Sequence, residues 1–127
     1  MSTGNENLRK INGGVVGGFT PISTVVTGAL DVGSNASGIK IPAGKLVVGG
    51  YIKNLKNDLA GVSGATVGLK VGTDEIISAT TIANLKGKQV ATIDTSPTSV
   101  LTEKDLYVAI ATANITACTL EIGAFYI

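Results

Sequence analysis

The chain contains no histidine and no tryptophan, and one cysteine, Cys118, among its 127 residues. Each absence removes some chemistry. Without histidine there is no commonest general base, no histidine-dependent catalytic triad and none of the usual zinc or copper ligands. A single cysteine permits no intrachain disulfide and cannot hold a metal alone, so it carries no information about redox compartment. Aromatic residues make up 4% of the chain, which leaves an aliphatic core and few of the stacking platforms that sugar-binding and sugar-cleaving sites use.

Charge is equally sparse. Charged residues are 15% of the total, and 10 Lys and Arg against 9 Asp and Glu give a net charge of +1. Neutralising many phosphates takes a basic stripe; here both signs are scattered, so nucleic acid is not an expected partner. Isolated soluble domains usually carry more surface charge, so much of the exterior is expected to be covered by copies of the chain or by a larger assembly. No apolar run approaches the roughly 20 residues of a membrane helix, which predicts no membrane partner. The first residues, MSTGNENLRKINGG, lack an apolar h-region, which predicts a chain without a secretory signal.

No site of catalysis emerges from what remains. The carboxylates Asp31, Asp58, Asp74, Glu75, Asp94, Glu103, Asp105 and Glu121 show no spacing that selects a glycosidase pair. No DxDxDG run marks a calcium loop. The glycines of Gly13 to Gly18 lack the GxxxxGK[ST] order, and Phe19-Thr20-Pro21 follows where a phosphate-binding loop needs a helix. Asn35-Ala36-Ser37 and Asn114-Ile115-Thr116 match the glycosylation pattern, which means little without a secretory signal. The expectation is a non-enzymatic protein with no catalytic residue, no metal and no cofactor.

What is present is β vocabulary: Val, Ile, Thr, Ala and 17 glycines. β-Branched residues suit a pleated, half-buried surface, and glycine serves turns and bulges. The chain is organised around Ile39 to Leu55, IKIPAGKLVVGGYIKNL, which reads as a short strand, a Pro-Ala-Gly turn and a long strand. Alternation in the long strand predicts Leu46, Val48 and Ile52 on one face and Lys45, Val47, Tyr51 and Lys53 on the other, with a bulge or close approach at Gly49-Gly50. The second face is half apolar and is expected to be covered.

A first strand is expected over Ile22 to Val32, bent at Gly28, and then a loop over Gly33 to Gly38. Ala65, Val67, Leu69 and Val71 form the cleanest inward set. Asp74 to Leu85 reads as a helical turn or irregular excursion that Thr73 could cap. Further strands are expected over Gln89 to Asp94, Ser99 to Thr102 and Leu106 to Ala111, with a loop at Thr95 to Thr98. Ile115 to Ile127 closes the fold as one strand, with Cys118, Leu120 and Ile122 inward and the alternation reset at Gly123. Cys118 is therefore expected in the core as a small hydrophobe. Phe125, Tyr126 and Ile127 are too apolar to dangle, so they cap the core or join a subunit interface.

Together these readings predict an all-β fold, a β-sandwich and specifically a jelly roll of about eight antiparallel strands. An immunoglobulin-like sandwich is second, but its Cys…Trp…Cys pattern is missing. One domain over residues 15–127 is expected, with an N-terminal arm over residues 1–14. In that arm Leu8, Arg9, Lys10 and Ile11 mix aliphatic and cationic groups.

Three stretches carry a resemblance: Ile41-Pro42-Ala43-Gly44 leading into a strand, Val71 to Ala79 (VGTDEIISA), and Leu106-Tyr107-Val108 with the strand that runs to Ile127. Together they resemble small β-sandwich proteins of tailed-bacteriophage virions. The resemblance implies an auxiliary or decoration protein of the capsid, made in the host cytoplasm, bound to the major capsid protein or neighbouring virion subunits and usually homotrimeric. The base of a head or tail fibre is the variant. It also implies that the arm residues Leu8, Arg9, Lys10 and Ile11 dock on the coat and that Tyr51, Phe125, Tyr126 and Ile127 lie at subunit contacts. A lectin-like module recognising host glycans is the competing class, and would need an exposed aromatic or a calcium loop. A small trimeric β enzyme of nucleotide metabolism would need nucleotide-binding loops that the sequence does not show.

Overall fold

The computed structural model describes residues 20–127, with residues 93–96 as backbone only. The arm residues Leu8, Arg9, Lys10 and Ile11, and the glycines of Gly13 to Gly18, lie outside the described residues. In chain order the elements are β1 (Thr20–Thr27), β2 (Gly33–Ile41), β3 (Lys45–Asn54), β4 (Ala60–Gly61), β5 (Thr66–Val71), β6 (Asp74–Thr81), α1 (Ile82–Leu85), β7 (Gln89–Val100), β8 (Lys104–Ala111), β9 (Ile115–Ala117) and β10 (Thr119–Tyr126). They form two 4-stranded antiparallel sheets, ordered β1-β10-β3-β7 and β2-β8-β5-β6, and a 2-stranded pair, β4-β9.

The two sheets form a β-sandwich around one aliphatic core. Val47, Ile52, Leu120, Ile122 and Ala124 come from the first sheet, and Ile41, Val67, Leu69, Leu106 and Val108 from the second; all are fully buried. The alternations over 65–71, 106–110 and 118–122 point inward as the sequence predicts. Each such Val, Leu or Ile side chain stabilises the fold by about 1.5–3 kcal/mol relative to exposure, which is why a core without aromatics suffices. The Pro42-Ala43-Gly44 turn forms as expected, with Gly44 at φ +83 and its N–H donated to the Val100 carbonyl (2.7 Å).

Several expectations are corrected. Gly33 to Gly38 is strand, not loop. The Ser37 hydroxyl donates to the Leu106 carbonyl (2.6 Å) and the Asn35 amide to that of Val108 (3.3 Å). Polar side chains thus tie β2 to β8 where the backbone register shifts, between Ala36 and Lys40. Asp74 to Thr81 is also strand: Val71 pairs with Asp74 across a two-residue turn with Gly72 at φ +60. A glycine first in a tight hairpin turn outweighs the weak helix signals of Asp74 and Glu75. Of the stretch expected to be helical, only Ile82–Leu85 is, and Thr81 rather than Thr73 stands at its start.

β7 runs unbroken from Gln89 to Val100, so the loop expected at Thr95 to Thr98 and the separate strand after it are one element. β7 is an edge strand, where Pro97 costs no ladder bond. The closing strand, conversely, is two strands divided at Cys118. Gly123 does not reset the alternation: Ile122 and Ala124 are both fully buried, and the register shifts later, between Phe125 and Tyr126.

The most consequential correction lies in β3. Its register shifts between Val47 and Gly49, so Val47 joins Ile52 in the core cluster, while Val48, at the shift, is buried outside that cluster. Leu46 is left half-buried. The glycine pair does mark the bulge, and the extra residue reverses the phase of everything before it.

Candidate interaction surface

The bulge in β3 fixes what the outer side of the first sheet presents. On β3 that side carries Leu46, Tyr51 and Lys53. Across the ladder, Tyr51 pairs with Gly123, Lys53 with Glu121 and Gly49 with Phe125. On the far side of β10, Pro21 pairs with Phe125 and Val25 with Glu121. Directly paired residues point to the same face of a sheet, so these side chains form one continuous surface. Ile127 extends it: its N–H and carbonyl both exchange hydrogen bonds with Leu46, each 3.0 Å.

The surface is apolar at one end and polar at the other. Pro21, Leu46, Phe125 and Ile127 cluster where β1 begins and β10 ends. Ile127 is 51% exposed and Val25 50%. The Tyr51 and Phe125 rings are tilted by 30°, with centroids 5.8 Å apart. Gly123 has no side chain, and the Tyr51 ring fills the space. That ring position lets the Tyr51 hydroxyl donate to the Glu121 carboxylate. Burial, and then this hydrogen bond, hold the Tyr51 phenol above its ordinary pKa, with Ser23 opposing the shift.

Of the C-terminal residues expected at contacts, Phe125 and Ile127 share this face with Tyr51. Tyr126 does not. It pairs with the buried Val47 and packs against the core, with the Lys45 ammonium 5.8 Å from its ring centroid. The sequence reading missed Leu46, Pro21 and Val25. Leu46 was assigned to the wrong face by the bulge, whereas Pro21 and Val25 alternate with the half-buried Ile22, Thr24 and Val26 and were readable from period 2.

The outer side of the second sheet is different in kind. Lys40 meets Asp105 across β2 and β8 at 2.7 Å. Lys70 lies opposite Tyr107 on β8 and Glu75 on β6. A shallow cavity of about 170 Å³ sits over Gly68 and Ala109, rimmed by Ser34, Lys70 and Glu75. Near the end of β3, Asn54 is buried beside a 250 Å³ recess, and its Oδ1 has no partner. Among the described residues, no three His, Cys, Asp or Glu side chains group to hold a metal, and no helix is long and apolar enough to cross a membrane.

Cys118 is buried, as its place in the alternation predicts. Its thiol faces the Gly28 carbonyl at 3.3 Å. Burial first, and the nearby Asp58 charge second, push the thiol pKa up, the opposite of what a nucleophilic cysteine needs.

No protein-family model and no curated protein sequence matches the chain. Solved structures do. A chain of the Cyanophage Pam1 capsid asymmetric unit is 19% identical, with 98% of this chain and 96% of that one covered and a TM-score of 0.48. A chain of the acidic stable capsid structure of Helicobacter pylori bacteriophage KHP30 is 14% identical, with 85% and 91% covered and a TM-score of 0.44. A chain of the capsid of Ralstonia phage GP4 is 16% identical, with 89% of this chain and 86% of that one covered and a TM-score of 0.60, and with that chain the protein described here shares its fold.

Proposed function

We propose that this chain is a non-enzymatic structural protein of a tailed-bacteriophage virion, an auxiliary or decoration subunit that binds the major capsid protein and stabilises the head. The observation that carries the reading is the fold shared with the Ralstonia phage GP4 capsid chain, which extends over 89% of one chain and 86% of the other. The strand orders β1-β10-β3-β7 and β2-β8-β5-β6 support assigning the sandwich to the jelly-roll type, in which each sheet draws its strands from both ends of the chain.

The chemistry of the surface is consistent with a role in a shell. One outer face has an apolar end and the other is charged, so the subunit has a patch suited to contact and a side suited to solvent. The contact is assigned to Tyr51, Phe125 and Ile127, together with the N-terminal residues Leu8, Arg9, Lys10 and Ile11, and the assembled form to a homotrimer. Tyr126 supports the face from within, and is not assigned to the contact.

The test is co-sedimentation with shells assembled from the major capsid protein of the same genome. Saturable association, weakened by Phe125→Ser or Ile127→Ser, is the expected result. No association with shells, and absence of the protein from purified particles, would overturn the reading. Light scattering decides the trimer separately.

A further inference from the structure

Among the described residues, the open edges of the sandwich are β1 and β7 in the first sheet and β2 and β6 in the second. Three of them carry devices that discourage further pairing. β7 has Pro97 and a register shift against β3, β2 has an interrupted ladder, and β6 starts on Asp74-Glu75 and shifts register against β5. β1 has only Pro21, near its start. Its 8 residues, TPISTVVT, pair with β10 without a shift, and none is charged.

Two hydrogen bonds show which of its backbone groups face outward. The Gly28 N–H donates to the Cys118 carbonyl at 3.0 Å. Carrying the register one residue past Thr27 and Thr119 sets these two opposite each other. Backbone groups alternate between the two sides of an antiparallel strand. Ile22, Thr24 and Val26 therefore bond to β10, and the N–H and carbonyl groups of Ser23, Val25 and Thr27 point to the open edge. β10 agrees, since the Thr119 carbonyl accepts from Leu55 on its β3 side at 3.0 Å.

We propose that this edge pairs with the β1 edge of a second copy, antiparallel and about a two-fold axis at Val25, so that the first sheets of two subunits become one. Self-complementarity selects the occupant and the register. Centred on Val25, each Val25 exchanges both its bonds with its counterpart, and Ser23 exchanges both with Thr27. Pro21, which has no N–H to give, falls beyond the pairing. Centred on Thr24 or Ser23 instead, Pro21 would face an outward N–H and carbonyl and lose a bond on each copy. The Val25 register also sets the two Val25 side chains, each 50% exposed in the single chain, against each other, and half-buried Thr24 against Val26. No charge meets a like charge, which would be destabilising in directly opposed pairs. The contact is isologous and small, so it is weak in dilute solution. It goes beyond the virion reading and does not rest on it: it uses an edge, and leaves the outer face of the sheet free for other contacts.

Cysteine trapping tests the register, in a Cys118→Ala background. Val25→Cys places two thiols on residues whose Cα atoms are about 5.5 Å apart in such a pair, within disulfide reach. Thr27→Cys, on the same edge and face, places them about 14 Å apart along the strands. Oxidation should give a disulfide-linked dimer on a non-reducing gel for Val25→Cys and none for Thr27→Cys. Equal cross-linking of both, cross-linking of Thr27→Cys alone, or none would overturn the proposal.

Hydrogen exchange on the unaltered chain tests it without an engineered thiol. Protection of the Ser23, Val25 and Thr27 amides should rise as the protein is taken from micromolar to millimolar concentration, while that of Val26, bonded to β10, should stay constant. Protection at every concentration would mean that the edge is covered within the chain, and protection at none that it stays open; either overturns the proposal. No virion component enters these experiments, so their failure is separate from failure of the virion reading.

Discussion

The phenol ring of Tyr51 stands over Gly123, its partner across the β3-β10 ladder, in the space that any side chain at position 123 would need. A Cβ there would lie 2.9 Å from Tyr51 Cζ and 3.0 Å from the Ile22 carbonyl oxygen. The ring can yield only by giving up its contact with Phe125 and its hydrogen bond to Glu121. Gly123→Ala should therefore destabilise by about 1–3 kcal/mol. Adding Tyr51→Ala should recover part of the loss, a coupling within the roughly 0.5–3 kcal/mol range of touching pairs. Gly44→Ala is the contrast: no atom lies within 4 Å, but φ is +83. It should cost about 1–2 kcal/mol through the backbone, and truncating Tyr51 should leave that cost unchanged. Urea unfolding of the single and double variants checks all three.

A second prediction follows from the phase of β3. Val47 is fully buried and Leu46 is half-buried, the reverse of simple alternation from Ile52. Val47→Thr should cost about 1–3 kcal/mol, because the added hydroxyl is buried without a designed partner. Leu46→Thr should cost less than about 1 kcal/mol. Equal costs would mean the bulge is absent in solution.

That reversal also shows how far the sequence could be read. Val67, Leu69, Leu106, Val108, Leu120 and Ile122 alternate without interruption, and hydrophobic period alone places them in the core. The sandwich follows from many such runs with glycine and proline between them. Register shifts are harder. Gly49-Gly50 was legible as a bulge, but period 2 does not say which residue is the extra one. β2 was hidden because Asn35, Ser37 and Gly38 have loop composition; what makes them a strand is the β8 backbone that accepts their hydrogen bonds. The outer face of the first sheet suffered from the same limit. Tyr51, Phe125 and Ile127 were legible as apolar groups seeking cover, but placing Leu46 beside them and Tyr126 behind them required the ladder.

Tyr51 gives a pH-dependent signature. Its phenol is held above the usual value by burial and then by Glu121. A pKa raised in the folded state favours the protonated form. The associated stability is fully present below the unfolded value of about 10 and is lost as pH rises through the higher folded value. In a phenolate absorbance titration Tyr51→Phe should remove an ionisation that lies above the ordinary tyrosine value. Glu121→Gln should lower the value only in part, since burial is the larger cause. If Glu121→Gln leaves the Tyr51 value unchanged, the hydrogen bond does not form in solution.

Cys118 should be chemically silent while the protein is folded. Burial and the Asp58 charge both raise its pKa, and reactivity follows the thiolate. Alkylation at neutral pH should be slow in native buffer and rise to the rate of a free thiol in denaturant. Its dependence on denaturant should follow global unfolding, because Cys118 joins β9 and β10 inside the core. Fast labelling in native buffer would place local opening at that junction.

The Lys40–Asp105 pair makes the last prediction. The Lys40 ammonium donates to the Asp105 carboxylate at 2.7 Å across β2 and β8, at the same register position. Lys40 holds the carboxyl below its usual value, and Asp105 holds the amine above its own. The two shifts bound one pH window. The Asp105 contribution is present above the unfolded carboxyl value of about 3.9 and disappears as pH falls through the lower folded value. The Lys40 contribution is present below about 10.4 and disappears as pH rises through its raised folded value. Asp105→Asn should therefore be less stable than wild type only inside that window, with the difference closing at both ends. Both groups are exposed, so the difference should be small and should shrink as salt is added. β2 is an edge strand with an interrupted ladder, so the pair holds register rather than contributing much energy. Hydrogen exchange should accordingly show the β2 amides near Lys40 opening more readily in Asp105→Asn, while those of β3 keep wild-type protection. Equal acceleration in both strands would mean that the pair stabilises the whole fold and not the edge.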